Sequence, residues 1–369
     1  MKRKERDRNE DDEKDTPPSI LDSLPLDLKL ATLSKLPAKS LTKTWSSIIR
    51  SREFIDYYYA MSSTKPRFIV ALTNGVDSKP EEKLTFFYSF SLGGEEESSS
   101  LVPKFEMAIP TRLRGQAYFA SLHGFLSVET DCGMIVCNPS TEQLVTMPKS
   151  AAFVGYDPIG GQYKALTVYR PQGDPPSHKV LTLGGTQGWR HIEGNPEPYT
   201  QIVYAGVCIN GVLYYGALTK HKYNPVMSIF IDYNGKLASI ARDPFYELRS
   251  FDLWILEDVG KNDWSKQTCV LPQSMLAPPG AEVVEYSFPG ATKAGEIIIL
   301  PNKLSKKVEP FYIFYYNVKT QKERRVRLLG IGDNKEFRRS YGLYKKIDCY
   351  VRMVPQHVES IAFLKNPMI

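Results

Sequence analysis

The strongest constraint on the fold is a change of hydrophobic period near residue 66. From there to about residue 364, apolar residues no longer recur at helical spacing. Short runs rich in Tyr, Phe and β-branched side chains alternate with turn residues every dozen positions or so, which is the pattern of strands. Leu84 to Leu92 carries apolar residues at every even position. Asn210-Gly211 sits between Val207-Cys208-Ile209 and Val212-Leu213-Tyr214-Tyr215, and Asn234-Gly235 is placed similarly. Each is a strong hairpin signal, because a type I′ turn needs positive φ at both central residues. Glu95 to Ser100 is a polar loop between such runs. Residues 66–364 therefore predict a large all-β domain.

A faint repeat refines this. Met134 to Thr141 and Ile313 to Thr320 both read as a strand entering an N-x-x-T turn, with Ile229 to Lys236 and Leu253 to Asp258 in similar parts. Asn138 to Asp232 spans 94 residues, two periods of 47, near the roughly 40–50 residues of a propeller blade. The expected architecture is a degenerate β-propeller, with a β-sandwich as the alternative.

The N-terminus differs. Thirteen of the first fifteen residues are ionic with both signs mixed, so residues 1–18 predict a tail that cannot bury enough surface to order itself. Residues 19–60 read as a helical module. Pro25 and Asp27 suit a first helical turn. Leu24, Leu28 and Ala31 form one stripe, and Leu26, Leu30, Leu33 and Leu36 a second, before Pro37 breaks the helix. Two stripes suit either a helix with one face for its own module and one for a partner, or a helix buried on both sides.

Composition narrows the class. With 42% hydrophobic and 24% charged residues, global disorder is excluded. No run approaches the ~18 apolar residues of a membrane span. Lys2-Arg3-Lys4 with no apolar core behind it predicts no secretory signal. Five cysteines, an odd number, and no N-x-[ST] sequon free of proline point to a reducing compartment, cytoplasm or nucleus. The net charge of +6 is local: Lys306 to Arg352 holds 13 basic and 5 acidic residues, or +8. Because Arg325 and Arg327 alternate with Val326 and Leu328, this stretch predicts a solvated outer strand face, and no nucleic-acid partner is expected.

No constellation for catalysis emerges. His123, Cys132 and Cys137 lack the fourth ligand and paired spacing of structural zinc. Nucleophile-elbow, phosphate-loop and dinucleotide fingerprints are absent from the sequence. Gly160-Gly161 and Gly184-Gly185 read as turns, and Trp189, Trp254 and Trp264 as packing residues. No enzyme activity, cofactor or metal is expected, and a lectin is disfavoured for the same reason.

Taken in order, these segments resemble a plant F-box protein with a type-3 F-box-associated domain. The F-box resemblance rests on Leu24-Pro25-Leu26-Asp27-Leu28, on Leu33 to Leu41, and on Trp45 to Ser51. The associated domain contributes Cys137 to Thr141, Gly155-Tyr156-Asp157-Pro158, His178 to Gly184 with Trp189-Arg190, Gly206 to Tyr215, and Leu253 to Asp258 followed by Trp264-Ser265-Lys266. The resemblance implies a non-catalytic ubiquitin-ligase subunit. Its F-box would dock on a Skp-type adaptor bridging to a cullin scaffold, through Leu24, Pro25, Leu28, Leu30, Leu33, Leu36, Pro37 and Trp45. Its β domain would capture an unknown target protein.

One departure stands out. The family pattern carries about six more residues between the Ser-Leu run and the Trp, whereas here Lys43 is followed by Thr44-Trp45. Six helical residues rotate the chain by ~600°, so the stripe holding Leu41 and that holding Trp45 lose a shared face. The shortened F-box is then unable to dock, docks by one helix, or reflects a transcript lacking an in-frame piece. A β-domain interaction module uncoupled from ubiquitination is the alternative function.

Overall fold

The computed structural model describes residues 26–33, 35, 46–65, 67–74, 84–91, 100–110, 119–130, 133–147, 153–169, 177–194, 199–219, 227–242, 248–272, 275, 284–343 and 349–364. The predicted charged tail lies outside them. Three helices come first: α1 (Leu26–Leu33), α2 (Ser46–Ile49) and α3 (Arg52–Ser63). α3 starts where the Ser51 hydroxyl oxygen accepts a hydrogen bond from the Phe54 amide at 3.2 Å, which satisfies one of the helix's unpaired first-turn donors.

The rest is β-structure built of consecutive antiparallel sheets. The strands of the first are β1 (Arg67–Thr73), β2 (Thr85–Ser91) and β4 (Lys104–Ile109), with β3 (Ser100–Leu101) leaving to join another sheet. Blade 2 comprises β5 (Phe119–Leu122), β6 (Phe125–Thr130), β7 (Gly133–Asn138) and β8 (Gln143–Thr146). Blade 3 comprises β9 (Phe153–Asp157), β10 (Gln162–Tyr169), β11 (Ser177–Thr182) and β12 (Arg190–His191). A two-stranded ribbon follows, β13 (Tyr199–Ile209) with β14 (Val212–Thr219). Blade 4 comprises β15 (Met227–Tyr233), β16 (Lys236–Arg242), β17 (Ser250–Asp258) and β18 (Asp263–Val270). Blade 5 comprises β19 (Tyr286–Ala291), β20 (Glu296–Pro301), β21 (Phe311–Asn317) and β22 (Lys322–Leu328), with β3 added in parallel outside β22. After the short helix α4 (Lys335–Ser340), β23 (Val351–His357) pairs with β1 and completes blade 1 in the order β23-β1-β2-β4.

The first strands β23, β5, β9, β13, β15 and β19 touch one another in that order and close on themselves. The fold is thus a propeller of five blades with a half-blade ribbon between blades 3 and 4. The last strand of the chain closes the first blade, so the circle is held by pairing across the termini of the domain.

Blade faces pack on their neighbours, which explains the sequence pattern. On β1, Phe68, Val70 and Leu72 join Ile298, Leu300 and Ile313 of blade 5, while Ile69 and Ala71 join Leu126 and Val128 of blade 2. A strand buried on both faces reads as a continuous apolar run. β2 shows the same: beyond the even-numbered aromatics, Thr85, Phe87 and Ser89 on the other face are buried too. Ser89 is satisfied there by donating to Glu106 at 2.6 Å.

Both predicted Asn-Gly hairpins form, with φ of 51° and 84° at Asn210 and Gly211, and 54° and 80° at Asn234 and Gly235. They join the first and second strands of the ribbon and of blade 4. The proposed repeat needs a correction in this light. Asn138, Asp258 and Asn317 all mark the turn between third and fourth strands, where their side-chain oxygens accept backbone N–H groups. Asp232 instead caps a first-to-second-strand turn, as Asp157 does in blade 3. The 94-residue interval therefore joined two non-equivalent positions.

Candidate functional site: a docking helix and a loop-bearing face

Antiparallel order sends the first-to-second and third-to-fourth turns to one face of the propeller and all other connections to the opposite face. On the first face the first-to-second turns hold two to four residues: 123–124, 158–161, 210–211, 234–235 and 292–295. On the opposite face the connections are longer, including 74–84, 302–310, 271–285 and 329–350. The first-to-second turns of the one face are all tight, although its third-to-fourth connection 92–103 is long. The opposite face holds several long connections of the kind on which binding residues are commonly mounted.

The N-terminal helices sit on the tight-turn face. Phe54 and Tyr58, one turn apart on α3, are buried with Ile49 and Ile361. Tyr59 stacks on His123 of the β5–β6 turn at 3.6 Å between ring centroids, and His123 stacks on Tyr156 of β9 at 4.0 Å. Burial holds the His123 imidazole down at about 4, against an opposing pull from Asp56, so the ring is neutral in the stack at neutral pH. The Arg52 guanidinium covers Gly161, where a Cβ would meet Nη2 at 2.6 Å. This joint fixes α3 against blades 2 and 3. Cys137 is fully buried with its thiol pushed up to about 12 by desolvation, and Cys132 lies outside the described residues. Among the described residues no group of three or more His, Cys, Asp or Glu side chains could hold a metal ion.

Of the residues expected to meet an adaptor, Leu28 is 53% exposed on α1. Ala31, next on the same stripe, is half-buried. Leu30 and Leu33 lie on α1 as expected from the periodicity. Leu24, Pro25, Leu36, Pro37 and Trp45 lie outside the described residues, as does the shortened segment at Lys43-Thr44.

Three arginines of the basic stretch are held by the protein itself, while Lys306, Lys307, Lys319, Lys322, Arg325, Lys335 and Arg339 are exposed. Arg324 forms a bidentate pair with Glu296 at 2.9 and 2.7 Å and lies over Tyr315, while Arg327 pairs with Asp333. Arg338 is 2% exposed and donates to the carbonyl oxygens of Lys307, Gly332, Ser305 and Leu343 at 2.5–3.3 Å. It pins the long connection of blade 5 to α4. A buried arginine held by backbone carbonyls leaves no trace in the hydropathy pattern.

The ribbon is the other unusual region. Among the described residues no strand pairs with the far edge of β14. Its Val212-Leu213-Tyr214-Tyr215-Gly216-Ala217-Leu218-Thr219 sequence has no charge. Tyr215 reaches blade 3, sharing a 2.6 Å hydrogen bond with His178 and stacking on Phe153. Tyr214 packs toward blade 4 with Leu237, Leu256 and Trp264.

Comparison with known proteins completes the picture. A family model described as the F-box associated beta propeller domain matches residues 69–230 and 224–358. The chain belongs to the plant F-box proteins that carry an F-box-associated β-propeller domain. It is 51% identical to the Arabidopsis thaliana chain At1g32660, named as an F-box protein, over 99% of both chains. It is 40% identical to F-box protein At1g30790 over 93% of this chain and 99% of that one, and 32% identical to F-box protein DOR over 84% and 89%, both from Arabidopsis thaliana. The two family matches meet at residues 224–230, the junction of ribbon and blade 4. The At1g32660 alignment runs over 447 positions against 369 residues here, so at least 78 positions have no residue in this F-box protein.

Proposed function

We propose that this F-box protein is the substrate-recognition subunit of a Skp–cullin–F-box type ubiquitin ligase. The single observation that carries the reading is the placement of the helical module on the tight-turn face, which leaves the long-loop face for a target protein. Leu28 and its stripe, with Leu24, Pro25, Leu30, Leu33, Leu36, Pro37 and Trp45, form the surface for a Skp-type adaptor, and the adaptor reaches the cullin. The subunit does no chemistry; it raises the concentration of a target lysine near a charged ubiquitin carrier. The basic stretch reads as a solvated strand face and not as a nucleic-acid site, and the five cysteines without sequons fit the cytoplasm or nucleus. The domains run as a tail over 1–18, an F-box-like module over 19–60 and the β domain over 66–364.

The shortened segment before Trp45 weakens docking to what α1 alone supplies. Co-purification with a Skp-type adaptor tests this. The expected result is weak capture by the native chain, loss of capture on Leu28→Asp, and a gain when a six-residue helical stretch is restored after Lys43. Strong capture that neither change alters would refute adaptor docking through α1. Absence of capture by all three chains would favour an interaction module uncoupled from ubiquitination.

A further inference from the structure

Every complete blade has four strands, whereas the ribbon stops after two. The two family matches overlap at 224–230, just past the end of the ribbon. Losing strands in pairs is topologically silent, because two antiparallel strands return the chain to the face it left. Among the described residues the ribbon therefore ends two strand spacings, roughly 10 Å, short of blades 3 and 4, which leaves a notch between them.

The floor of the notch is the far edge of β14. Second strands such as β6 and β20 are flanked on both sides, and where they carry Glu129 and Glu296, β14 has eight uncharged residues. The outermost strands are guarded differently. β18 carries Asp263 and Lys266, β22 carries five ionic residues and is covered by β3, β4 carries Lys104 and Glu106, and β8 and β12 are only four and two residues long. Charge, shortness and cover are the usual protections of a sheet edge, and β14 has none of the three among the described residues.

The walls are made by blade faces that would otherwise meet the missing strands. On blade 4 they present half-buried Trp254 and Trp264, with Lys266 lying over the Trp254 ring at 5.2 Å and paired to Asp252 at 2.9 Å. Strand pairing puts Trp254 opposite Lys266 and Leu256 opposite Trp264, all on the face turned to the ribbon. On blade 3 the wall carries Val180 opposite Arg190, beside His178.

We infer that this notch binds an extended, uncharged segment of a partner protein, which adds to β14 as an antiparallel strand. The flanking blades stand two strands proud of β14, so a second intact propeller cannot bring its own ribbon edge to pairing distance. A slender segment or hairpin can. The uncharged edge and aromatic wall favour alternating apolar residues in the guest, with backbone hydrogen bonds supplying affinity and the Trp254 side supplying selectivity. The inference rests on the propeller being a target-capturing platform and is independent of adaptor docking.

The test uses the full chain without adaptor and a fluorescein-labelled peptide carrying the Val212–Thr219 sequence flanked by lysines. The expected result is saturable binding by fluorescence anisotropy, with slowed amide exchange in β14 on peptide addition. Binding should weaken at least tenfold in Trp254→Glu. It should also be lost when a second copy of Ser250–Val270, the outer hairpin of blade 4, is inserted between Thr219 and Met227 to fill the notch. The inserted variant keeps the test informative if the Trp254 variant fails to fold. Non-saturable binding, or binding that the insertion leaves unchanged, overturns the inference. So does a dimer in sedimentation without peptide that the insertion abolishes, since that assigns the edge to a second copy of the chain.

Discussion

Blade 5 and the ribbon use the same hairpin chemistry toward opposite ends. In blade 5, Ile297 to Leu300 of β20 are all at most 1% exposed, clamped between blades 1 and 4. Its outer strand is ionic, its edge is covered by β3, and Arg338 ties its long connection to α4. In the ribbon, two strands with register shifts hold Ile209 and Tyr214 against blade 4, and Tyr215 against blade 3. The difference teaches that a propeller closes through its first strands. The ring of β23, β5, β9, β13, β15 and β19 survives while outer strands are dispensable. Stability therefore concentrates in complete blades, and exposed binding capacity appears where a blade is cut short.

This contrast can be broken by substitution. The largest effect is expected for Arg338→Met, which leaves four carbonyl groups without their donor and should cost about 4 kcal/mol of unfolding free energy in urea. A cost under about 1 kcal/mol would show that blade 5 is not organised around this residue. Ile299→Ala in the same blade should cost about 3 kcal/mol, while Val212→Ala at the start of β14, where the side chain is 51% exposed, should stay within about 0.5 kcal/mol. Equal costs at the two positions would contradict the division of stability between blade and ribbon.

A pH-dependent effect concerns the closure of the circle. His357 on β23 is buried, faces Ser121 of β5 at 3.3 Å, and has its imidazole pushed down to about 3 by desolvation and by Arg67. An imidazole that charges more readily in the unfolded chain leaves stability complete above its ordinary value of about 6.5. Stability is then lost as pH falls toward 3, at up to about 1.4 kcal/mol per pH unit. His357→Gln should flatten the urea midpoint between pH 6.5 and 4 relative to the native chain. An unchanged slope would place the acid sensitivity elsewhere.

Much of the fold was legible in the sequence, because strands buried on both faces and Asn-Gly turns have local signatures. The family phrases before Trp45 and within 137–266 likewise stand in plain order. The joint was not legible: Tyr59, His123 and Tyr156 are far apart in sequence and meet only through the ring of first strands. The half-blade did leave a signal. Its two Asn-Gly turns both join first to second strands and lie 24 residues apart, half the spacing of a blade, but turn equivalence is invisible until strand order is known. Arg338 and the pairing of Arg324 and Arg327 were hidden because hydropathy does not report charges satisfied within the protein.

The most direct measurement is whether one chain bridges two partners. A Skp-type adaptor, this F-box protein with the six-residue stretch restored after Lys43, and the labelled Val212–Thr219 peptide are mixed and separated by size-exclusion chromatography. The account predicts one peak containing all three, because the adaptor surface on α1 and the notch beside β14 are separate. Elution of adaptor and peptide in different peaks, or displacement of one by the other, would contradict it.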